Sequence, residues 1–331
     1  MVLMAMANLI SRKISGKTYY YLEQNIRLGE GRWKKVLEYL GSKKPAKKLL
    51  TEAGKRLAKK AKSAVSDYYA KRLANFRFSI LSKEQLSEAE RLRENFQKRF
   101  KRLDAKKKEK FNRKQIINFV YTTLRTEGID VDMPDVETAY AEIGKKNPEM
   151  TMDKKLIISS SMITGFNFLP KIRMEIEGLL KLHGIIMSTF ESDSPGKIRD
   201  DQRIIARFNP KTLQSEEIGY RPPQPSQIRG ELEKFFTWLE ESKNTHPIEL
   251  SALVHLKIYR IHPFKDGNKR MSRLLFNKIL MDYDYPILNI SKETKDYFKA
   301  LVKSVETGND RPFVVFCHET FVRQVKNRFL G

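Results

Sequence analysis

Residues 262–273, His-Pro-Phe-Lys-Asp-Gly-Asn-Lys-Arg-Met-Ser-Arg, combine a histidine, an aspartate, a glycine–asparagine pair and two arginines in one short run. A helix is predicted to end near Ile261, and the apolar spacing after Asn268 predicts that another helix begins there. The free amides at a helix start, together with the helix dipole, bind anions. The loop between the two helices is therefore predicted to hold phosphate groups.

The side chains of this loop suit different chemical tasks. Arg270 and Arg273 are three residues apart, so both guanidiniums should lie near one face, where they suit a di- or triphosphate. Asp266 would repel a phosphate, but a bridging Mg²⁺ removes the conflict because carboxylates and phosphates share this ion. His262, with an ordinary pKa of ~6.5, can accept a proton at neutral pH. With Gly267 allowing close backbone approach, the set indicates transfer of a phosphate ester from a nucleotide.

The composition is that of a folded and strongly basic protein. The 331 residues suit roughly two domains, and 40% apolar residues are enough for a core. The net charge is +24, and between Gly41 and Asn75 eleven lysines and arginines face two acids. Such a charge attracts nucleic acid, nucleotides or acidic proteins, although a lysine-rich face can equally serve only to solubilise a helix.

Cysteine content and hydropathy exclude two classes of protein. The single cysteine, Cys317, excludes an intramolecular disulfide and a cysteine-based zinc cluster. No apolar run approaches the ~18 residues that a membrane span requires. We therefore expect a cytoplasmic protein without a membrane partner.

The pattern along the chain predicts three regions. Residues 1–42 are predicted to form a small β-hairpin module, 43–114 a basic helical region, and 115–331 a mainly helical domain. Within this last domain, "RIIARF" and "EIGYR" are predicted to be two short strands of a hairpin that occupies residues 203–222. The predicted helices of this domain include residues 153–168, 171–190, 227–241, 247–261 and 268–283.

The loop resembles the Fic family motif, His-x-Phe-x-(Asp/Glu)-Gly-Asn-Gly-Arg-x-x-Arg, except that Lys269 replaces the second glycine. The flanking segments resemble the same family over roughly residues 115–325. The resemblance implies a mainly α fold, a Fic-type helical bundle with the 203–222 hairpin as its flap. It also implies a protein adenylyltransferase, which moves AMP from Mg-ATP to a Ser, Thr or Tyr hydroxyl of a protein, its own chain included.

The resemblance assigns a role to each residue of the loop. His262 would deprotonate the target hydroxyl, and Asp266 would hold Mg²⁺. The nucleotide phosphates would be bound by the rest of the loop, which comprises Gly267, Asn268, Lys269, Arg270 and Arg273. The flap would pair with the target segment by strand addition.

A second resemblance lies upstream, at Thr123-x-x-x-Glu127-Gly128. Gly128 stands where a helix-terminating glycine is expected, and Glu127 would lie at the unfavourable end of the helix dipole. Solvent or Arg125 could compensate that charge. The segment is also similar to the inhibitory motif of one class of Fic proteins, in which the glutamate pairs with the second motif arginine, here Arg273. We therefore expect an autoinhibited enzyme.

Two departures from the family pattern leave alternatives open. Doc-like relatives carry Asn-Lys-Arg where Lys269 stands and transfer phosphate instead of AMP, so a phosphotransferase is the alternative reaction. Tyr297 matches the family tyrosine beside the nucleobase, but the asparagine usually found eight or nine residues later is replaced by Val305 or Glu306. A different nucleotide preference is therefore open.

An alternative function that is not enzymatic is also open: a nucleic-acid-binding protein that acts through its basic N-terminal half and has a degenerate Fic core. The oligomeric state is open from the sequence, with a dimer as one option.

Overall fold

The computed structural model describes residues 7–29, 32–143, 153–189, 194–209, 214–290 and 295–329. Its strands are β1 (Asn8–Ile14), β2 (Lys17–Gly29), β3 (Arg32–Gly41), β4 (Ala206–Asn209) and β5 (Gln214–Glu217). Its helices are α1 (Lys47–Arg72), α2 (Lys83–Lys101), α3 (Ala105–Thr126), α4 (Met133–Glu142), α5 (Lys154–Phe168), α6 (Ile176–Ile186), α7 (Ile228–Glu241), α8 (Pro247–Ile261), α9 (Asn268–Asp282), α10 (Lys295–Thr307) and α11 (Arg311–Phe329).

The predicted fold class is confirmed: the chain is mainly helical, with a small sheet before the bundle and a β-hairpin within it. The chain forms two compact units, one of residues 1–75 and 83–94 and the other of residues 76–82 and 95–331. Within the described residues, no helix is both long and apolar enough to cross a membrane.

The first unit is a three-stranded antiparallel sheet in the order β1-β2-β3, with one face packed on α1. Strands present alternate residues to opposite faces, so one set of apolar residues meets the apolar stripe of the helix. Buried Glu38 of β3 reinforces this contact, because its carboxylate pairs with Arg56 Nε at 2.5 Å and Lys60 Nζ at 2.7 Å. The packed residues are Leu22, Ile26, Val36 and Leu40 of the sheet and Ala53, Leu57, Ala61 and Ala64 of α1.

In the second unit, α8 and α9 pack against each other as a helical hairpin around which the core is built. Both helices are buried along most of their length, which explains why each is apolar on more than one face. Helices α3 and α5 pack on each other, and α3 also contacts α9. The C-terminal end of α3 and the N-terminal end of α9 are thereby placed close together.

Several helix and strand boundaries in the structure differ from the predicted ones. The helix predicted over 171–190 begins at Ile176, since residues 169–171 form a short 3-10 turn that contains Pro170. The second hairpin strand is Gln214–Glu217, so the strand predicted at "EIGYR" lies too far along the chain. Beyond Glu217 the N–H of Ile218 donates to the Ile205 carbonyl, and the N–H of Gly219 then donates to Glu306 Oε1.

Candidate active site

The loop predicted to hold phosphate joins α8 to α9 and is flanked by two left-handed residues. His262 terminates α8 with φ 49°, and Gly267 precedes α9 with φ 78°. A Cβ atom on Gly267 would lie 2.9 Å from Met187 Sδ and 3.2 Å from His183 Nε2. Backbone conformation and space therefore both require glycine here. The first amides of α9 follow directly, without intrahelical acceptors.

Asn268 holds the loop in shape with its side chain. Its Nδ2 donates to the Phe264 carbonyl at 2.8 Å, and its Oδ1 accepts from the Phe264 N–H at 3.0 Å. The Phe264 ring is buried and stacks on His183 with centroids 3.6 Å apart. Since the side chain of Asn268 is committed to the loop, a phosphate contact from this residue would come from its backbone amide.

Arg199, which sequence reasoning missed, ties the loop to both ends of the hairpin. The buried guanidinium donates to three carbonyls, those of His262 at 2.8 Å, Asp201 at 2.6 Å and Pro223 at 2.6 Å. Its own N–H donates to the Pro263 carbonyl at 2.9 Å. One arginine in an irregular segment carries no local signal for such a role.

His183, which is buried, supports the same loop from α6. Its Nδ1 accepts from the Gly196 N–H at 2.9 Å, so the ring proton lies on Nε2, which can donate to the Asp266 carbonyl at 3.1 Å. Burial lowers the pKa of His183 to about 4, which keeps the ring in this neutral tautomer at pH 7.

His262 has the protonation state that a general base needs. Its Nδ1 lies 3.3 Å from the Tyr259 carbonyl, which can only accept, so the proton of this hydrogen bond lies on Nδ1 and Nε2 carries the lone pair. Burial lowers the pKa of His262 to about 4, and the positive charges of Arg199 and Lys269 act in the same direction. The ring is therefore neutral at pH 7 and can accept a proton.

Asp266 and Arg270 form an ion pair within the loop. Arg270 Nη2 lies 2.5 Å from Asp266 Oδ2, and the carboxylate side chain is 48% exposed while the arginine is buried. No group of three or more His, Cys, Asp or Glu side chains suited to a metal occurs in the part of the chain that the structure describes. An ion held here would rest on one protein carboxylate and on its substrate, which is how Mg²⁺ commonly binds beside phosphates.

Glu127 reaches the start of α9 and meets two cations. Its Oε1 lies 2.9 Å from Arg273 Nη1, and its Oε2 lies 3.4 Å from Lys269 Nζ. The side chains of Glu127 and Arg273 are only 7% and 1% exposed. Burial tends to raise the pKa of Glu127, but the charges of Arg273, Lys269 and Arg270 outweigh it and lower the pKa. The carboxylate is thus ionised, and it pairs with Arg273, one of the two arginines predicted to bind the nucleotide phosphates.

The end of α3 sets the position of Glu127. Gly128 has φ 80° and donates its N–H to the Arg125 carbonyl, while the N–H of Ile129 donates to the Leu124 carbonyl, which together form a Schellman motif. Thr123, one turn earlier, contributes its backbone carbonyl, 3.5 Å from Arg273 Nη1. Its hydroxyl has no hydrogen-bond partner within the described residues.

Tyr297 does not lie where the resemblance implies. The side chain is fully buried, its hydroxyl lies 3.4 Å from Arg273 Nη2, and Arg273 Cζ is 5.3 Å from the centre of its ring. With no exposed face, the ring cannot contact a nucleobase in this conformation, and it instead supports Arg273 from behind. The half-buried ring beside it is that of Phe298, at a centroid distance of 4.9 Å.

Comparisons with known proteins agree with this architecture. Residues 173–280 match the model of the Fic/DOC family. Protein adenylyltransferase Fic of Drosophila ananassae is 30% identical over 203 residues, which are 60% of this chain and 38% of that protein. The Drosophila melanogaster protein of that name is 32% identical over 178 residues, 50% of this chain and 34% of its own length. This chain thus spans under two fifths of these relatives.

Solved structures share the fold. A fragment of Fic-1 from C. elegans has a TM-score of 0.60 at 21% identity and covers 87% of this chain and 88% of the fragment. A Fic-domain-containing signaling protein from Bacteroides thetaiotaomicron has a TM-score of 0.59 at 20% identity, covering 72% of this chain and 94% of that one. The family match and the common fold lead to one conclusion: residues 173–280 are similar to the Fic/DOC family, and they lie within a fold that these solved Fic-domain structures share.

Proposed function

We propose that this chain is a protein adenylyltransferase that transfers AMP from ATP to a protein hydroxyl and is held inactive by Glu127. The observation that carries the proposal is the buried ion pair between Glu127 and Arg273, at 2.9 Å, at the start of α9. A carboxylate in that place is an internal anion that competes with a bound phosphate for the same arginine. The relatives that bear the name adenylyltransferase support this assignment.

His262 begins the reaction as base. The target hydroxyl loses its proton to the Nε2 of His262 as its oxygen attacks the α-phosphorus of ATP. A new bond joins that oxygen to the phosphorus, the bond to the bridging oxygen breaks, and pyrophosphate leaves. The amides at the start of α9, with Arg270 and Arg273, would stabilise the phosphate charge.

Asp266 is the residue that would hold Mg²⁺ together with the nucleotide. Its half-exposed carboxylate at the edge of the loop fits an ion shared with phosphate oxygens. When bound, Mg²⁺ would neutralise phosphate charge, and Arg270 would then be released from Asp266 to contact the nucleotide.

The β4–β5 hairpin is proposed to position the target. It pairs Ala206 with Glu217 and Asn209 with Gln214, and Arg199 fixes the chain on both sides of it. An extended target segment with a Ser, Thr or Tyr hydroxyl could add as a further strand and bring the hydroxyl near His262. The target can be another protein or a copy of this chain. The second partner predicted from sequence, nucleic acid, concerns the N-terminal unit and not this site.

The position of a radiolabel in ATP distinguishes the proposed reaction from phosphate transfer. Glu127→Gly is incubated with Mg²⁺ and ATP labelled at either the α- or the γ-phosphate, alone and with a cell extract, and labelled proteins are separated. Label retained only from the α-position supports AMP transfer. Label retained only from the γ-position would instead establish the phosphotransferase suggested by Lys269. Glu127→Gly/His262→Ala is the control, and label that persists in it would reject His262 as the base.

A further inference from the structure

The N-terminal sheet has a second face, which points away from α1. Leu22 and Ile26 of β2 pack on the helix, so Glu23 and Asn25, which alternate with them along the strand, project to the opposite side. We call this side the open face. The register places on it Arg12 of β1, Tyr21, Glu23, Asn25 and Arg27 of β2, and Trp33, Lys35 and Tyr39 of β3.

Aromatic rings on the open face are paired with each other and with arginines. Tyr21 lies opposite Tyr39 with centroids 5.3 Å apart, and Arg12 Cζ is 5.3 Å from the centre of the Tyr21 ring. Further along the same strands, Trp33 lies opposite Arg27, whose Cζ is 5.8 Å from the Trp33 ring. Trp33 is 64% exposed and Tyr39 is 53% exposed, which is unusual for side chains of this size.

The charge around these rings is positive. Arg12, Arg27 and Lys35 lie among them, and Glu23 lies on the same face, 3.6 Å from Arg12 and 3.2 Å from Lys35. Over residues 1–75 the sequence has eighteen lysines and arginines against five acids. An anionic partner would therefore be attracted to the face on which the rings are exposed.

We infer that the open face binds single-stranded nucleic acid, with bases stacked on Tyr39 and Trp33 and with Arg12, Arg27 and Lys35 contacting phosphates. Rings beside cations on a surface are the arrangement that unpaired bases and their backbone require. In a duplex, each base face is covered by its neighbour. An acidic protein surface would satisfy the cations but would leave the exposed rings without planar partners. This inference does not depend on AMP transfer, because it concerns different residues.

Spacing along the strand gives the size of the binding site. Tyr21 and Arg27 are six residues apart on β2, so the Tyr21–Tyr39 pair and the Arg27–Trp33 pair are separated by about 20 Å. A single base cannot reach both pairs. The site would thus contact at least two separate nucleotides of one strand.

The fluorescence of Trp33 offers a direct test in the full-length chain. The sequence has two tryptophans, Trp33 and Trp238, so Trp238→Phe leaves Trp33 as the only reporter. Oligonucleotides of one mixed sequence, as single-stranded DNA, single-stranded RNA and duplex DNA, are titrated at several salt concentrations. We expect both single strands to quench Trp33 and to bind more weakly as salt rises, with the duplex binding at least tenfold more weakly.

Variants separate specific binding from general charge attraction. Arg27→Glu, on the open face, should weaken single-strand binding at least tenfold, and Tyr39→Ala about tenfold. Lys62→Glu makes the same change of charge on an exposed position of α1 and should weaken binding far less. Equal losses in Arg27→Glu and Lys62→Glu, binding without quenching, or a preference for duplex would each overturn the inference.

Discussion

Lys269 Nζ lies 3.4 Å from Oε2 of Glu127, so the residue that departs from the Fic motif faces the Glu127 carboxylate. The glycine of the motif could not make this contact. Glu127 is consequently held by two cations, with Arg273 on its other oxygen. Lys269 therefore bears on the proposed inhibited state, and its contact with Glu127 weakens the case for taking this residue as evidence of phosphate transfer.

Lys269→Met should loosen Glu127 while preserving most of the apolar stem of the side chain. Because the lysine is a third exposed, its pairing with Glu127 should be worth about 0.5–1 kcal/mol, or a two- to fivefold gain in ATP affinity. Calorimetric titration with Mg-ATP measures the gain. In a Glu127→Gly background the gain should vanish or turn into a small loss, because only the direct attraction of Lys269 for phosphate remains. The same gain in both backgrounds would show that the two residues are not coupled.

Arg199→Lys should destabilise the protein although it keeps the charge. An ammonium group cannot reach the three carbonyls that the guanidinium satisfies, and we expect a loss of about 2–4 kcal/mol in the free energy of unfolding. Urea unfolding measures the loss. Arg229→Lys, on the exposed face of α7, is the matched control and should change stability by less than about 0.5 kcal/mol. Equal stability of the two variants would refute the conclusion that Arg199 stabilises the fold through its three carbonyl contacts.

Gly267→Ala should cost more stability than Gly128→Ala, although the two glycines have nearly the same φ, 78° and 80°. A Cβ on Gly128 meets no atom within 4 Å, whereas one on Gly267 would lie 2.9 Å from Met187 Sδ. Backbone strain should cost each variant about 1 kcal/mol, and crowding should add about 1–3 kcal/mol to Gly267→Ala. Chemical denaturation of both variants checks the difference. Met187→Ala should remove part of the added cost, and the crowding account fails if it removes none.

Stability should fall as the pH drops from 6.5 towards 5. Burial lowers the pKa values of His183 and His262 to about 4 and that of His255 well below its usual range. The unfolded chain therefore binds more protons than the folded chain in this window, so stability rises with pH there and is lost on acidification. Each histidine can contribute up to about 1.4 kcal/mol per pH unit. Thermal unfolding between pH 6.5 and 5 measures how steeply stability depends on pH. His255→Gln should reduce this dependence. An unchanged dependence would contradict a contribution from buried, neutral His255.

The parts of the site that sequence reasoning could identify are local. The loop from His262 to Arg273 joins residues adjacent in the chain, and Gly128 marks the helix end that carries Glu127. The partners of Arg199 include His262, 63 residues away, and His183 acts on Asp266, 83 residues away. No periodicity connects residues at such distances, so these two supports appear only in the folded chain.

Tyr297 and β1 are two further features that the sequence did not predict, because they depend on packing in the folded chain. The position of Tyr297 in a family pattern suggested a nucleobase contact, but its burial depends on Phe313 and Phe316 of α11, which pack against it in the folded chain. Strand β1, Asn8–Ile14, turns the predicted hairpin into a three-stranded sheet. Most of its residues are exposed, so its sequence lacks the alternation that marks a half-buried strand.

The central claim is that the chain transfers AMP with His262 as base and is held inactive by Glu127. Its most direct test is the intact mass of the purified chain after incubation with Mg-ATP. Wild type, Glu127→Gly and Glu127→Gly/His262→Ala are compared under the same conditions. We predict that Glu127→Gly gains the mass of AMP, while wild type gains little and the double variant gains none. An equal gain in wild type would contradict inhibition by Glu127, a gain in the double variant would contradict the role of His262, and no gain in Glu127→Gly would contradict modification of its own chain.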